Sequence, residues 1–156
     1  MSGDIRVAIV GARRGLHHAA AYEGLESRAR IVALAELDDE RRAAASARLG
    51  PTVKTYADWQ EMVQKEKPDV LHAVTSPTVP RALWVRPAAA AGVGVLAIEK
   101  PIALSPAEAA DLYAAALETG LKVAVNHQRR YMPFADALLE LLADEQDPEM
   151  RARCME

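Results

Sequence analysis

Short apolar runs alternate with alanine-rich, helix-prone segments along the whole of this 156-residue chain, and that alternation constrains its fold more than any other feature. Ile5–Val10, Ile31–Glu36, Val53–Tyr56, Val70–Val74, Val93–Ile98 and Lys122–Val125 read as strands. Helix start and stop signals fill the gaps. Asp38 can cap a helix over 39–49 that Gly50-Pro51 ends, and Asp58 and Glu61 have the spacing of a capping box. A run from Pro80 to Ala91 stops at Gly92, and Ser105-Pro106-Ala107-Glu108 opens another helix that ends at Gly120. A last amphipathic helix is expected over Phe134–Ala143. Strand–helix alternation of this kind predicts an α/β fold: a doubly wound parallel sheet of about six strands with helices on both faces. Pro87 lies inside its helical run, where it removes a hydrogen bond to the carbonyl of Leu83, so a bend or break is expected there.

Composition narrows the function. Alanine dominates the apolar residues and there is a single Phe, which favours helices packed closely on the sheet over an aromatic-lined cavity. The net charge of -3 shows no basic excess, so no nucleic-acid partner is expected. The lone Cys154 allows no internal disulfide and fits a reducing compartment. Met1–Asp4 run directly into the first strand, and no apolar run approaches the roughly 20 residues of a membrane span. A cytoplasmic protein with no membrane partner is expected.

Right-handed crossovers place the C-terminal ends of the strands on one edge, where ligands bind in open α/β sheets. The residues at those ends carry the chemistry. After the first strand comes Gly11-Ala12-Arg13-Arg14-Gly15-Leu16, a glycine turn leading into a helix-prone run from Leu16. Strand, glycine turn and helix together form the context of dinucleotide binding in a Rossmann fold, with pyrophosphate at the helix N-terminus. The pattern departs from G-x-G-x-x-G. Either the loop is one residue short and Gly15 is its last glycine, or Arg13 replaces the middle one; a plain β–α turn is the simpler alternative. Glu36 follows Gly11 by 25 residues, close to the spacing of the acid that accepts ribose hydroxyls. Thr75-Ser76-Pro77 ends the fourth strand, where the hydroxyls either meet a cofactor or cap the turn. Glu99-Lys100-Pro101 ends the fifth, and the proline holds Lys100 extended at the strand end. Asn126 to Pro133 form a polar cluster after the sixth, Arg130 among them. His72 reads as a packed core residue. His17 and His18 lack a spaced set of carboxylate or thiol partners, so no metal site is expected. Arg41 and Arg42 are expected on a solvated helix face.

These motifs, in this order from Val7 to Pro133, resemble the N-terminal domain of the Gfo/Idh/MocA oxidoreductases. Glu99-Lys100-Pro101 is the most characteristic of them, supported by Ala35-Glu36-Leu37-Asp38, Ala91-Gly92 and Arg130-Tyr131-Met132-Pro133. The glycine loop departs from the family, and Arg81 stands where the family usually places a His. The resemblance implies NAD as cofactor, with NADP possible, and hydride transfer to or from a sugar, polyol or related carbonyl. Carried over by position, Gly11, Ala12, Arg13, Arg14, Gly15 and Leu16 would hold the pyrophosphate. Glu36 would hold the adenosine ribose, and Thr75, Ser76, Pro77, Glu99, Asn126 and Arg130 would complete the cofactor site. Lys100 would be the catalytic residue beside the nicotinamide.

The same resemblance divides the chain into a dinucleotide-binding domain over 1–133 and, over 134–156, a linking helix with the start of a substrate domain the chain does not contain. Three functions follow from it: a dehydrogenase domain, a non-catalytic nucleotide-binding or interaction module, and a truncated half-enzyme that needs a second domain. A homo-oligomer, or a partner chain, is expected to cover the exposed face.

Overall fold

A computed structural model describes residues 4–25 and 27–144. Its first compact unit runs to Asn126 and its second begins at His127. The first unit contains β1 (Ile5–Val10), α1 (Ala12–Ala20), β2 (Ala29–Ala35), α2 (Asp39–Leu49), β3 (Lys54–Tyr56), α3 (Trp59–Glu66), β4 (Val70–Ala73), α4 (Ala82–Ala90), β5 (Val95–Glu99), α5 (Pro106–Thr119) and β6 (Lys122–Asn126). The strands form one six-stranded sheet in the order β3-β2-β1-β4-β5-β6, with parallel pairing throughout. That is the expected doubly wound fold, and its strand order reverses between β1 and β4.

Each face of the sheet has its own core. Val7, Ile9 and Leu34 point to one face, where they pack with Ala12 and Ala19 of α1 and Ala45 of α2. Ala8, Val10 and Ala33 point to the other, with Met62 of α3, Val85 of α4 and Leu112 of α5. Alternate residues of β1 and β2 therefore serve opposite layers, as the two-residue period of a strand requires. Small side chains let helices approach closely: a Cβ on Gly15 of α1 would come within 2.8 Å of Ile9 Cγ2.

The capping signals act as their chemistry predicts. Asp38, Asp58 and Ser105 accept hydrogen bonds from the N–H groups of Arg41, Gln60 and Glu108. Gly120 closes α5 in the left-handed conformation. Glu66, buried at the end of α3, ties three elements together by accepting from Lys54 Nζ at 2.9 Å and the Tyr56 hydroxyl at 2.5 Å while Arg6 lies at 3.7 Å. Burial acts to raise its carboxyl, yet these partners hold it below the usual range; Tyr56 in turn is pushed up to about 12, by burial and by Glu66.

Two local expectations change. Helix α1 starts at Ala12, not Leu16, so the glycine motif is the helix's own first turn. Helix α4 continues from Ala82 to Ala90 with Pro87 inside it, so of the expected bend or break the break does not occur. Trp84, Val85 and Ala88 bury its inner side, while Leu83, whose carbonyl loses its donor, is exposed and open to water.

The second unit holds a 3-10 turn at Gln128–Tyr131 and α6 (Pro133–Asp144). Phe134, Leu138 and Leu139 on α6 are exposed. Residues 145–156, where the start of a substrate domain is expected, fall outside the described residues.

Gly11 has φ +93°, and a Cβ there would lie 2.4 Å from the backbone oxygen of Val74. Gly92 has a similar φ of +85° with nothing near. Gly92→Ala should cost about 1–2 kcal/mol, the strain of a left-handed alanine. Gly11→Ala should cost about 3 kcal/mol or more, because the clash adds to that strain. Chemical denaturation of both variants checks this; equal costs would mean that the turn yields easily.

Candidate functional site

At the C-terminal edge of the sheet, where the strand order reverses, a crevice of about 1050 Å³ opens in the first unit. It is lined from four strand ends: Gly11, Arg13 and Arg14 after β1, Glu36 after β2, Thr75, Ser76 and Pro77 after β4, and Glu99 with Lys100 at β5. Trp59 and Trp84 also line it, with ring centroids 4.6 Å apart. The cavity is thus partly aromatic, contrary to the expectation from composition: two tryptophans distant in sequence meet at one place.

The glycine turn resolves as the short-loop alternative. Gly11 makes the turn, the helix begins at once, and Gly15 sits buried against Ile9, where only a glycine lets helix and strand come so close. Arg13 and Arg14 are exposed at the helix start, while Leu16 packs against the core beneath α1. The Ala12 N–H, one of the free donors at the helix start, is held by Glu36 Oε2 at 2.8 Å.

Glu36 is the anchor of this half of the crevice. Its other oxygen accepts from the Asp38 N–H at 3.1 Å and from Arg41 at 3.2 Å. Burial acts to raise its carboxyl, but the Ala12 and Asp38 N–H groups and Arg41 outweigh it and hold the group below the usual range. Arg41 and Arg42 are therefore not a simply solvated face. Arg41 also pairs with Asp38, and Arg42 donates to the Glu36 carbonyl at 2.8 Å and pairs with Asp39.

In the other half, the Ser76 hydroxyl caps its own turn through Thr78, and Thr75 Oγ1 accepts from Arg81 at 2.8 Å. The Glu99 side chain is nearly fully buried. Asn126 donates to its Oε1 at 2.7 Å, and His18 Nε2 lies 3.2 Å from the same oxygen. Asn126 thus supports the crevice by orienting Glu99. Lys100 is exposed at the rim, followed by a cis bond to Pro101. Arg130 belongs to the second unit.

The sequence did not reveal that His18, His72 and Glu99 cluster, with one donor atom from each within 4.8 Å of the others. The rings of His18 and His72 meet edge to face at 4.9 Å. The available signal was geometric: His18 follows Gly15 by one helical turn and so shares its buried face, and His72 lies at the centre of the strand next to β1. Glu99 also acts electrostatically on the buried Arg81, so its negative charge has a cationic counterpart.

The model of the Gfo/Idh/MocA family, an oxidoreductase family with an NAD-binding Rossmann fold, matches residues 5–127. D-apiose dehydrogenase of Paraburkholderia graminis is 33% identical over 128 residues, which are 82% of this chain and 33% of that protein. The chain thus spans about a third of the length of this curated relative. An NAD-binding oxidoreductase from Klebsiella pneumoniae superposes with TM-score 0.72 at 29% identity, over 90% of this chain and 39% of its own. The WlbA dehydrogenase of Bordetella pertussis, solved with NADH and UDP-GlcNAcA, gives TM-score 0.76 at 25% identity over 90% and 41%.

His72 has only 6% of its surface exposed, and neither ring nitrogen has a hydrogen-bond partner among the described residues. Burial first, and then the neighbouring His18, push it down to about 4 against the opposing pull of Glu99. The unfolded chain would protonate it near pH 6.5. Its contribution to stability is therefore complete above about pH 6.5 and fades as pH falls toward 4. Between pH 7 and 4.5, His72→Leu should lose about 2 kcal/mol less stability than the unmodified protein, measured by urea unfolding. Parallel losses would show that His72 is already solvated in the folded state.

Proposed function

We propose, because this chain belongs to the Gfo/Idh/MocA oxidoreductase family, that its crevice binds NAD(H) and that it forms the nucleotide-binding half of a dehydrogenase acting on a sugar, polyol or related carbonyl compound. The observation that carries the proposal is the convergence of Gly11, Glu36, Thr75 and Lys100, from four strand ends, on one crevice at the reversal of strand order.

The residues fit such a cofactor. Only glycine fits the tight turn at residue 11, where a Cβ would strike the Val74 carbonyl, and that turn leads straight into the start of α1, where a pyrophosphate would sit. The N-terminus of α1 directs N–H groups outward, and Arg13 and Arg14 flank it with positive charge. Glu36 is a carboxylate already ionised and oriented by two backbone N–H groups, suited to accept ribose hydroxyls.

When bound, the nicotinamide accepts or donates the hydride. The chain's own contribution is position and a proton. Lys100 at the rim, as its free amine, would take the proton of the substrate hydroxyl as the carbonyl forms and become the ammonium, which would return that proton in the reverse direction. Asn126 and His18 fix Glu99, the residue before it. Substrate contacts and exclusion of water come, in this proposal, from a segment into which residues 134–156 lead. The fraction of the relatives that this chain spans supports that reading.

Two outcomes are expected. Titration calorimetry should find NAD bound at least about tenfold more tightly than NADP, since Glu36 repels a 2′-phosphate and Arg41 is already paired with it. Tighter NADP binding would mean that Arg13 or Arg14 captures the phosphate. In assays of NADH formation against a panel of sugars and polyols, these 156 residues alone should turn over very slowly, because among the described residues no second wall lines the crevice to hold a substrate at the roughly 3–3.5 Å needed. Robust turnover abolished by Lys100→Ala would show a complete active site. Failure to bind any dinucleotide would move the chain to the class of non-catalytic modules.

A further inference from the structure

Two of the crevice's strand ends run into proline. Ser76 precedes Pro77 and Lys100 precedes Pro101, and neither proline has an N–H with which to tie its segment to a neighbour. Arg81, the residue preceding α4, supplies the missing donors. It is 3% exposed and lies behind the crevice wall. Its Nη1 donates to Thr75 Oγ1 at 2.8 Å and to the Ser76 carbonyl at 3.2 Å. Its Nη2 reaches the Glu99 carbonyl at 3.5 Å, a long contact but a pointed one, since that oxygen belongs to the peptide group joining Glu99 to Lys100.

We infer that Arg81 is a positioning residue for Lys100: one buried guanidinium clamps the segments after β4 and β5, and so sets the nicotinamide end of the crevice. The inference rests on the proposed cofactor reading. Among residues of this type only arginine presents several donors in a rigid planar fork, able to span acceptors on two strand ends at once. Burial pulls its guanidinium below the ordinary value, and the charge of Glu99 opposes this. The other half of the crevice, with Gly11 and Glu36, is built on β1 and β2 and has its own hydrogen bonds. Loss of Arg81 should therefore loosen one end of the cofactor site and leave the other.

Two probes separate those ends. ADP shares the adenosine and pyrophosphate of the cofactor and stops before the nicotinamide; NADH spans both. Calorimetric titration of Arg81→Gln and Arg81→Lys, each checked for folding by circular dichroism, should show NADH affinity lower by about tenfold, with ADP affinity within about twofold of the unmodified chain. Arg81→Lys tests geometry apart from charge, because one ammonium cannot span the three acceptors. Full NADH affinity in Arg81→Lys, or equal losses for both nucleotides, would overturn the clamp. If one variant fails to fold, the other carries the comparison; if both fail, Arg81 serves the fold and not the site. An unmodified chain that binds neither ADP nor NADH would instead refute the cofactor reading itself.

Discussion

The crevice depends on how closely the end of β4 approaches the turn after β1. The Val74 carbonyl occupies the space where any side chain at residue 11 would begin. Val74 continues the pairing by donating its N–H to the Val10 carbonyl at 2.8 Å, while the Gly11 N–H turns the other way to the Ala35 carbonyl at 2.8 Å. One glycine therefore sits between two strand ends that diverge: the chain order runs outward through β2 and β3 on one side and through β4, β5 and β6 on the other. The crossovers place α1 and α2 over one face and α3, α4 and α5 over the other. The gap they leave at the point of reversal is the crevice.

Charge is distributed around this gap with little left uncompensated. Glu36 holds two backbone N–H groups and Arg41; Glu99 holds Asn126 and His18 and faces the field of buried Arg81. A buried carboxylate without such partners would be costly, and Glu36 also holds the backbone after β1 through the Ala12 N–H. The same hydrogen bonds thus stabilise the fold and preorganise the crevice. Arg13, Arg14 and Lys100, by contrast, stay exposed at its mouth, where a charged ligand can reach them.

Much of this was legible in the sequence because it depends on local chemistry. Strand periods, caps at Asp38, Asp58 and Ser105, and glycines after helices act within a few residues of their own position. The strand-end motifs were legible too, since parallel topology alone collects them on one edge. Long-range pairing was not. Nothing near Arg81 shows that it reaches across to Glu99, 18 residues on, and Arg41 is read as solvated until its distance from Glu36 is seen. The histidines illustrate the same limit: His18 and His72 meet only because α1 folds back over β1 and β4 lies beside it. The loop register also escaped a pattern-based reading, because the part of Gly15 as the last glycine of a shortened loop shows only in its packing against Ile9.

In the proposed function, one crevice, at the reversal of strand order, receives a nicotinamide dinucleotide. Amide NMR spectra recorded during a titration with NAD test it most directly, because they report on every strand end at once. The largest shifts should fall at Gly11–Gly15, Glu36, Thr75–Ser76 and Glu99–Lys100, with the opposite edge of the sheet, around Ile5, Val70 and Val95, unmoved. Shifts confined to that opposite edge, or saturating binding that leaves Gly11 and Lys100 unchanged, would contradict it.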